Sequence, residues 1–454
     1  MKIINRRDFL KGSIGASAMI TLLNHKKSVA ASDKVIIGVM GIGGRGTFLA
    51  TEIAKRKDVE IAYLCDVDTR RFARVTEAVE EAQGKIPKRI QDFRKMLDDK
   101  DVDAVINATP DHWHGLGTIL ACQAGKDVYV EKPLSHNIWE GRKMIEAARK
   151  YKRIVQVGTQ CRSAPYVRGA FEYINSGKLG DIHLVRVLNM MEHSPRVKGP
   201  EEPIPEGFDY DMWCGPAPKY PYSPGQWWFN KWDFGLGGIP DDAVHQIDLA
   251  RLLINKPYPK SVYHAGGVHF FKDGREIPDT QIATYEYDGN LTMISESALW
   301  TSYMKKTPIN IRDLDQFPDW NFNGTKIEIF GTAGFMFFGR HGDGWQVYSA
   351  PGNSIEQRAN ILENTLVSFQ HGKQSNAEHL ENFVNCIRTR EKPNADVEEG
   401  HLSTLLSQIA NISYRVGNKK LILDPKTERF VNDDTANKYL KREYRQPWVI
   451  PEKV

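Results

Sequence analysis

Val35-Ile36-Ile37-Gly38-Val39-Met40-Gly41-Ile42-Gly43-Gly44-Arg45-Gly46 is the stretch that decides the fold. Six β-prone residues run into a G-x-G-x-x-G turn, and Thr47 to Arg56 continues with helical character. Strand, glycine turn, then helix is the setting in which this otherwise weak pattern has a meaning. The first glycine permits a tight turn, the second lets backbone approach a pyrophosphate, and the third lets the helix pack close to the strand. The start of the helix adds unpaired N–H groups and a positive dipole end, which favour phosphate.

Asp66 stands 20 residues beyond Gly46, at the end of a second β-rich run, Glu60 to Asp66. A carboxylate there accepts ribose hydroxyls and repels a 2′-phosphate. The expected cofactor is NAD, with Arg70 and Arg71 leaving NADP as the lesser option. Gly41, Gly43, Gly44, Arg45, Gly46 and Asp66 are the expected dinucleotide contacts.

Working outward, strand-like runs alternate with helical ones as far as Ile154 to Val157. Thr69 to Gln83 is a helix, Ala104 to Ala108 a strand, Leu116 to Ala124 a helix, and Asp127 to Val130 a strand. Such alternation builds a parallel sheet covered on both faces. Residues 34–157 therefore form the dinucleotide domain, an α/β doubly wound unit of the Rossmann type. After Gly158 the texture changes. His183 to Leu188, Ser261 to His269, Gln281 to Tyr287, Thr292 to Leu299 and Lys326 to Phe330 read as strands separated by turns, which favours an antiparallel sheet. Val167 to Ser176, Ala377 to Arg388 and Val397 to Tyr414 read as helices, and Pro195 to Gly238 as an irregular loop. Residues 158–415 form the second domain and 416–454 a tail packing on the domains.

Chemistry concentrates at strand ends. Glu131-Lys132-Pro133 follows the strand Asp127 to Val130, and ligands in open parallel sheets bind beyond the carboxyl ends of strands. Lys132 can hydrogen-bond a reacting hydroxyl, or act as a base if its pKa is lowered. The alternative is a solvated loop lysine. Thr109, Pro110, His112, Trp113 and His114 end the preceding strand and are expected to line the cofactor cleft together with Glu131. No carboxylate or Cys stands at ligand spacing from the two histidines, so no metal is expected. Downstream, Gly237 to Asp248 opens a helix in which Asp241 and His245 are four apart, hence on one face. A carboxylate beside an imidazole can orient the ring and support its charge. Trp213, Trp227, Trp228 and Trp232 crowd residues 210–235, and aromatic faces beside polar groups suit sugar rings as well as plain packing. Arg162, Trp213 and Trp228 are the expected substrate contacts.

Two other features bound the problem. The formal charge is +4, but Lys2, Arg6, Arg7, Lys11, Lys26 and Lys27 face only Asp8 within residues 1–31. The remaining body is close to neutral, so no nucleic-acid partner is implied. That leader holds Asn5-Arg6-Arg7-Asp8-Phe9-Leu10-Lys11, then apolar Ile14 to Leu23, then Ser28-Val29-Ala30-Ala31. The order is that of a signal peptide, the motif resembles the twin-arginine export signal, and the expected location is the periplasm. The apolar run is too short for a membrane span, and none is expected in the mature chain. Cys65, Cys122, Cys161, Cys214 and Cys386 lack any disulfide or zinc spacing.

Taken together, the glycine turn, Glu131-Lys132-Pro133, Gly158-Thr159-Gln160 and Asp241-x-x-x-His245 resemble the glucose–fructose oxidoreductase / inositol dehydrogenase / MocA family over roughly residues 34 to 415. The resemblance implies a Rossmann domain followed by an α/β domain with a large, open, mainly antiparallel sheet. It implies Lys132, Asp241 and His245 as the catalytic set, Gln160 near the nicotinamide, a sugar or cyclitol substrate, and a homodimer or homotetramer. The expected reaction is NAD-dependent oxidation of a sugar or glycoside hydroxyl, carbon 3 being one option. Some members are redox-neutral NAD-dependent glycosidases, which is the alternative, together with a non-catalytic sugar-binding protein on the same fold.

Overall fold

The computed structural model describes residues 34–225, 228–308, 312, 314–349, 365–373 and 376–454. Residues 1–31, expected to be an export leader, and Trp227 lie outside the described residues.

The first sheet contains β1 (Val35–Met40), β2 (Val59–Cys65), β3 (Lys88–Ile90), β4 (Ala104–Asn107), β5 (Asp127–Val130) and β6 (Val155–Val157). They are all parallel, in the order β3-β2-β1-β4-β5-β6. The order reverses between β1 and β4, which opens a crevice at their carboxyl ends. Strands β4 and β5 are buried along their whole length, as expected of strands covered on both faces.

One face is packed by the helices Gly44–Ala54 and Phe72–Gln83 and by a third from far away, Asn376–Thr389. Leu380, Phe383, Val384 and Cys386 of this third helix share a core with Ile37, Val39, Ile53 and Ile106. The sequence places this helix within the second domain, residues 158–415, whereas its apolar face packs on the first. The other face is packed by His114–Gln123 and Ile138–Lys150, with Trp448, Ile450 and Val454 of the tail. Helix Ile138–Lys150 was not legible in the sequence. Its first turn buries Ile138, Glu140 and Gly141 alike, which blurs the apolar stripe, although Asn137 caps it by accepting from Glu140 N at 3.0 Å.

The second sheet has ten strands. They are β7 (Ile182–Met190), β8 (Ser261–Gly267), β9 (Thr280–Tyr287), β10 (Leu291–Ala298), β11 (Lys326–Gly331), β12 (Gly334–Gly339), β13 (Trp345–Ser349), β14 (Leu366–Gln370), β15 (Leu421–Asp424) and β16 (Arg429–Phe430). Their order is β14-β13-β12-β11-β7-β10-β9-β8-β15-β16. Every neighbouring pair is antiparallel except β7 with β10. Val185, Val187, Tyr285, Met293, Ile329 and Phe338 point from the sheet into a core shared with helices Val244–Ile254 and Val397–Arg415. Tyr263, Ile282 and Ile422 stay exposed.

Helix Val397–Arg415 also joins the two halves. Its Thr404 hydroxyl accepts Leu134 N at 3.0 Å, and its Gln408 amide donates to Ser135 O at 2.7 Å. The segment that follows Lys132 is thereby pinned to the second domain. The five cysteines are free and buried. Among the described residues no helix is long and apolar enough to cross a membrane.

Candidate active site

A cleft of about 740 Å³ opens at the carboxyl ends of β1 and β4 and extends to Phe208, Tyr210, Trp213, Tyr222 and Trp228. At its first end, Gly41 has φ +81°, and a Cβ there would sit 2.8 Å from Ala108 O. A Cβ on Gly46 would lie 1.8 Å from Gly41 O, so the helix seats against the turn only with glycine at that place. Gly44 meets nothing within 4 Å, and Gly43 meets only the Arg71 guanidinium at 3.6 Å. The space before the helix start is therefore open, and no acidic residue occupies the first helical turn. The cradle fits a pyrophosphate. Asp66 borders the same cleft; Oδ2 accepts Ile42 N at 2.9 Å and Oδ1 accepts Asp68 N at 3.0 Å. Burial raises the Asp66 pKa, against these hydrogen bonds. Arg71 Nε is 3.9 Å away.

Arg45 reaches across from the glycine turn to Glu131, Nε to Oε1 at 2.7 Å. Burial pushes the Glu131 carboxyl up, but Arg45 and Lys132 outweigh it and hold it below its ordinary value. This bond ties the dinucleotide turn to the strand end that carries Lys132. Thr109, Pro110, Trp113 and Gln160 line the cleft beside them.

The second half of the site comes from a wider, π-helical turn, Ile239–Ala243, that feeds helix Val244–Ile254. Lys132 Nζ donates to the main-chain oxygen of Asp241. His245 lines the cleft with Nδ1 buried and unpartnered. Burial first, then Arg340 and Lys132, pushes its pKa well below the ordinary imidazole value, so the ring is neutral. The expected Asp241–His245 pair is not what forms. The π turn breaks the four-residue helical spacing. The Asp241 carboxyl instead accepts Gly237 N at 2.7 Å and contacts Asp111. Asp241 is buried behind the cleft wall, while Asp111, Lys132, Asp242, His245 and Arg340 form that wall.

Other expected contacts are displaced. His112 and His114 are buried away from the cleft lining. His112 lies within hydrogen-bond distance of Trp213 O (2.9 Å) and Phe234 O (3.3 Å), and His114 of Pro133 O (2.7 Å) and Thr109 O (2.8 Å). They brace loops off the cleft lining, and burial lowers both pKa values, that of His112 to about 3. Arg162 bonds Asp248 at 2.7 Å and stands 3.3 Å from Glu399, a buried cluster off the cleft. Trp213 and Trp228 do line it, with Tyr210 and Tyr222. Among the described residues no group of three His, Cys, Asp or Glu is placed to hold a metal.

Three wall residues, Asp111, Asp242 and Arg340, escaped the sequence reading. Arg340, just past β12, donates through Nη1 to Asp242 Oδ1 at 3.0 Å and to Gln246 Oε1 at 3.2 Å. Burial pushes the Asp242 carboxyl up, but Arg340, Lys306 and Lys132 hold it well below the carboxylate range. Asp242 Oδ2 is buried with no partner. Adjacent carboxylates in the sequence gave no sign that Asp241 and Asp242 face opposite ways.

Comparison with known proteins agrees with this geometry. Three models of one family match successive parts of the chain: its oxidoreductase NAD-binding Rossmann fold at residues 35–159, one C-terminal domain model at 167–337, and an α/β C-terminal domain model at 361–450. The myo-inositol 2-dehydrogenase of Thermotoga maritima is 22% identical over 378 residues, 83% of this chain and 95% of that protein. A glycosyl hydrolase family 109 protein of Stenotrophomonas maltophilia is 34% identical over 137 residues, 29% of this chain and 30% of that protein. A levoglucosan dehydrogenase structure with NADH and levoglucosan superposes with a TM-score of 0.62 at 19% identity, covering 86% of this chain and 99% of that one. With its glycine cradle, its Lys132 strand end and both sheets accounted for, the chain belongs to the Gfo/Idh/MocA family of NAD-binding oxidoreductases.

Proposed function

We propose that this protein reversibly oxidises a secondary hydroxyl of a sugar, cyclitol or glycoside to a ketone. The observation that carries the reading is a neutral His245 and the Lys132 ammonium in one cleft wall, joined through Glu131 and Arg45 to the dinucleotide turn. NAD, held by Gly41 to Gly46, Asp66 and Gln160, supplies the hydride acceptor. The protein does the rest. Lys132 donates a hydrogen bond to the substrate oxygen and stabilises negative charge as it develops. His245 takes the hydroxyl proton. The alcohol thus loses one hydride and one proton. Beside them, the unfilled acceptor Asp242 Oδ2 and the Arg340 guanidinium offer an acceptor and a donor side by side, which suits adjacent hydroxyls. Trp213, Trp228, Tyr210 and Tyr222 offer ring faces to a sugar. The relatives named for inositol and levoglucosan support the same substrate class.

The test is a panel of free sugars, cyclitols and glycosides, with oxidation at carbon 3 scored by product analysis and NADH by absorbance. Lys132→Met should lower kcat/KM about a hundredfold or more while NAD still binds. Wild-type turnover in that variant overturns the assignment. The glycosidase relative supports a second reading in which the ketone is transient and the hydride returns. Release of aglycone without net NADH would select it.

We also propose that the twin-arginine leader exports the folded protein to the periplasm. The exposed Tyr263, Ile282 and Ile422 support a dimer or tetramer built through the outer sheet face. Light scattering of the purified protein tests that assembly.

A further inference from the structure

Behind the catalytic wall two acids touch. Asp111 ends the first-domain segment after β4, and Asp241 sits in the π turn of the second domain. Both residues are buried, at 2% and 4% exposure. Their carboxyl groups are in hydrogen-bond contact. Asp241 Oδ2 is already occupied by Gly237 N. The oxygens left for the contact are Asp111 Oδ2 and Asp241 Oδ1, each buried with no other donor. Lys132, whose Nζ donates to Asp241 O, is a cation against both.

Charge decides what this contact is. Two ionised carboxyls in a buried contact repel strongly, and neither remaining oxygen has a donor. Two neutral carboxyls would leave Lys132 with no counter-charge from this pair. A single proton satisfies both demands. One acid donates to the other, and the pair carries one negative charge against one ammonium. We propose that Asp111 and Asp241 share one proton, making Asp111 a positioning residue that fixes Asp241 and, through the Asp241 carbonyl, the Lys132 ammonium.

The inference rests on the proposed oxidoreductase reading only for its consequence in turnover; the shared proton itself does not depend on it. Burial raises both carboxyls, that of Asp111 well above the usual carboxylate range. Asp111 lines the cleft and Asp241 does not, so Asp111 shields the pair from the substrate space.

The experiment compares the NAD-bound wild type with Asp111→Asn and Asp111→Leu. Infrared difference spectra at neutral pH read the carbonyl stretch of a protonated carboxylic acid. Other buried acids are common to all three proteins and cancel. The wild type minus Asp111→Asn spectrum should show that band, and its absence overturns the proposal. Asparagine keeps a donor for Asp241, so kcat should stay within about threefold, whereas leucine removes it and should lower kcat about thirtyfold with KM for NAD little changed. Wild-type kcat in Asp111→Leu removes the positioning role. A lost band in a protein that oxidises no sugar would leave the pair standing and overturn the functional reading instead.

Discussion

At Gly46 there is no room for a single methyl group, because Gly41 O stands 1.8 Å from where a Cβ would be. Gly46→Ala must push the helix off the turn. It should lower thermal stability by about 1–3 kcal/mol and abolish NAD binding, read by calorimetry and by dinucleotide titration. Gly44→Ala, with nothing within 4 Å, should leave the unfolding temperature unchanged. His245 gives a second test. Its pKa lies well below the ordinary 6.5, so its neutral, proton-accepting form persists as pH falls through that value. The acid limb of kcat/KM against pH should therefore lie well under pH 6.5, and a limb at the ordinary value contradicts the burial argument. Residues such as these differ in how far the sequence reveals them. The glycine turn is legible because its members lie within six positions and answer to one local geometry. Asp111 and Arg340 are not, because each acquires its meaning from a partner about a hundred positions or more away. His112 and His114 misled for the converse reason. Nearness to the cleft in sequence does not fix which way a ring turns.

Helices and strands show the same division. Five of the six parallel strands were legible because each is a short apolar run; β3 was not, because Lys88-Arg89-Ile90 is mostly polar and exposed. Strands β12 to β14, which run out to one edge of the second sheet, were not legible either, because β12 is only glycine and large apolar residues with no polar face, and β13 and β14 are five residues each. Helix Asn376–Thr389 was legible as a helix but not in its destination. Its apolar stripe of Leu380, Phe383 and Val384 states only that a core exists, not which one. The structure places Phe383 fully buried against the sheet of the first domain. Phe383→Ala should cost about 3–5 kcal/mol of stability, and NAD should protect the variant less against thermal unfolding than it protects the wild type. Equal protection would place the helix outside the dinucleotide unit. The π turn at Ile239–Ala243 was hidden for a different reason. Sequence spacing presumes 3.6 residues per turn, and one wider turn re-aims Asp241 away from His245.

On the scale of the whole molecule, the cofactor cleft is bordered by Phe208, Trp213, Tyr222 and Trp228 of the second domain across from the glycine turn of the first. If the chain leaves the cytoplasm folded, a freely exchanging dinucleotide would be lost. Mass spectrometry of denatured, purified protein should find NAD near one per chain; a clean apoprotein argues against retention. Helix Asn376–Thr389 and Trp448 carry a further consequence, for synthesis. The first domain starts at residue 34 yet completes its core only with side chains near the end of the chain. During synthesis, a chain that has reached only residue 157 still lacks side chains that cover both faces of its first sheet. Those places stay bare to solvent and to chaperones until the segments holding Phe383 and Trp448 have been made.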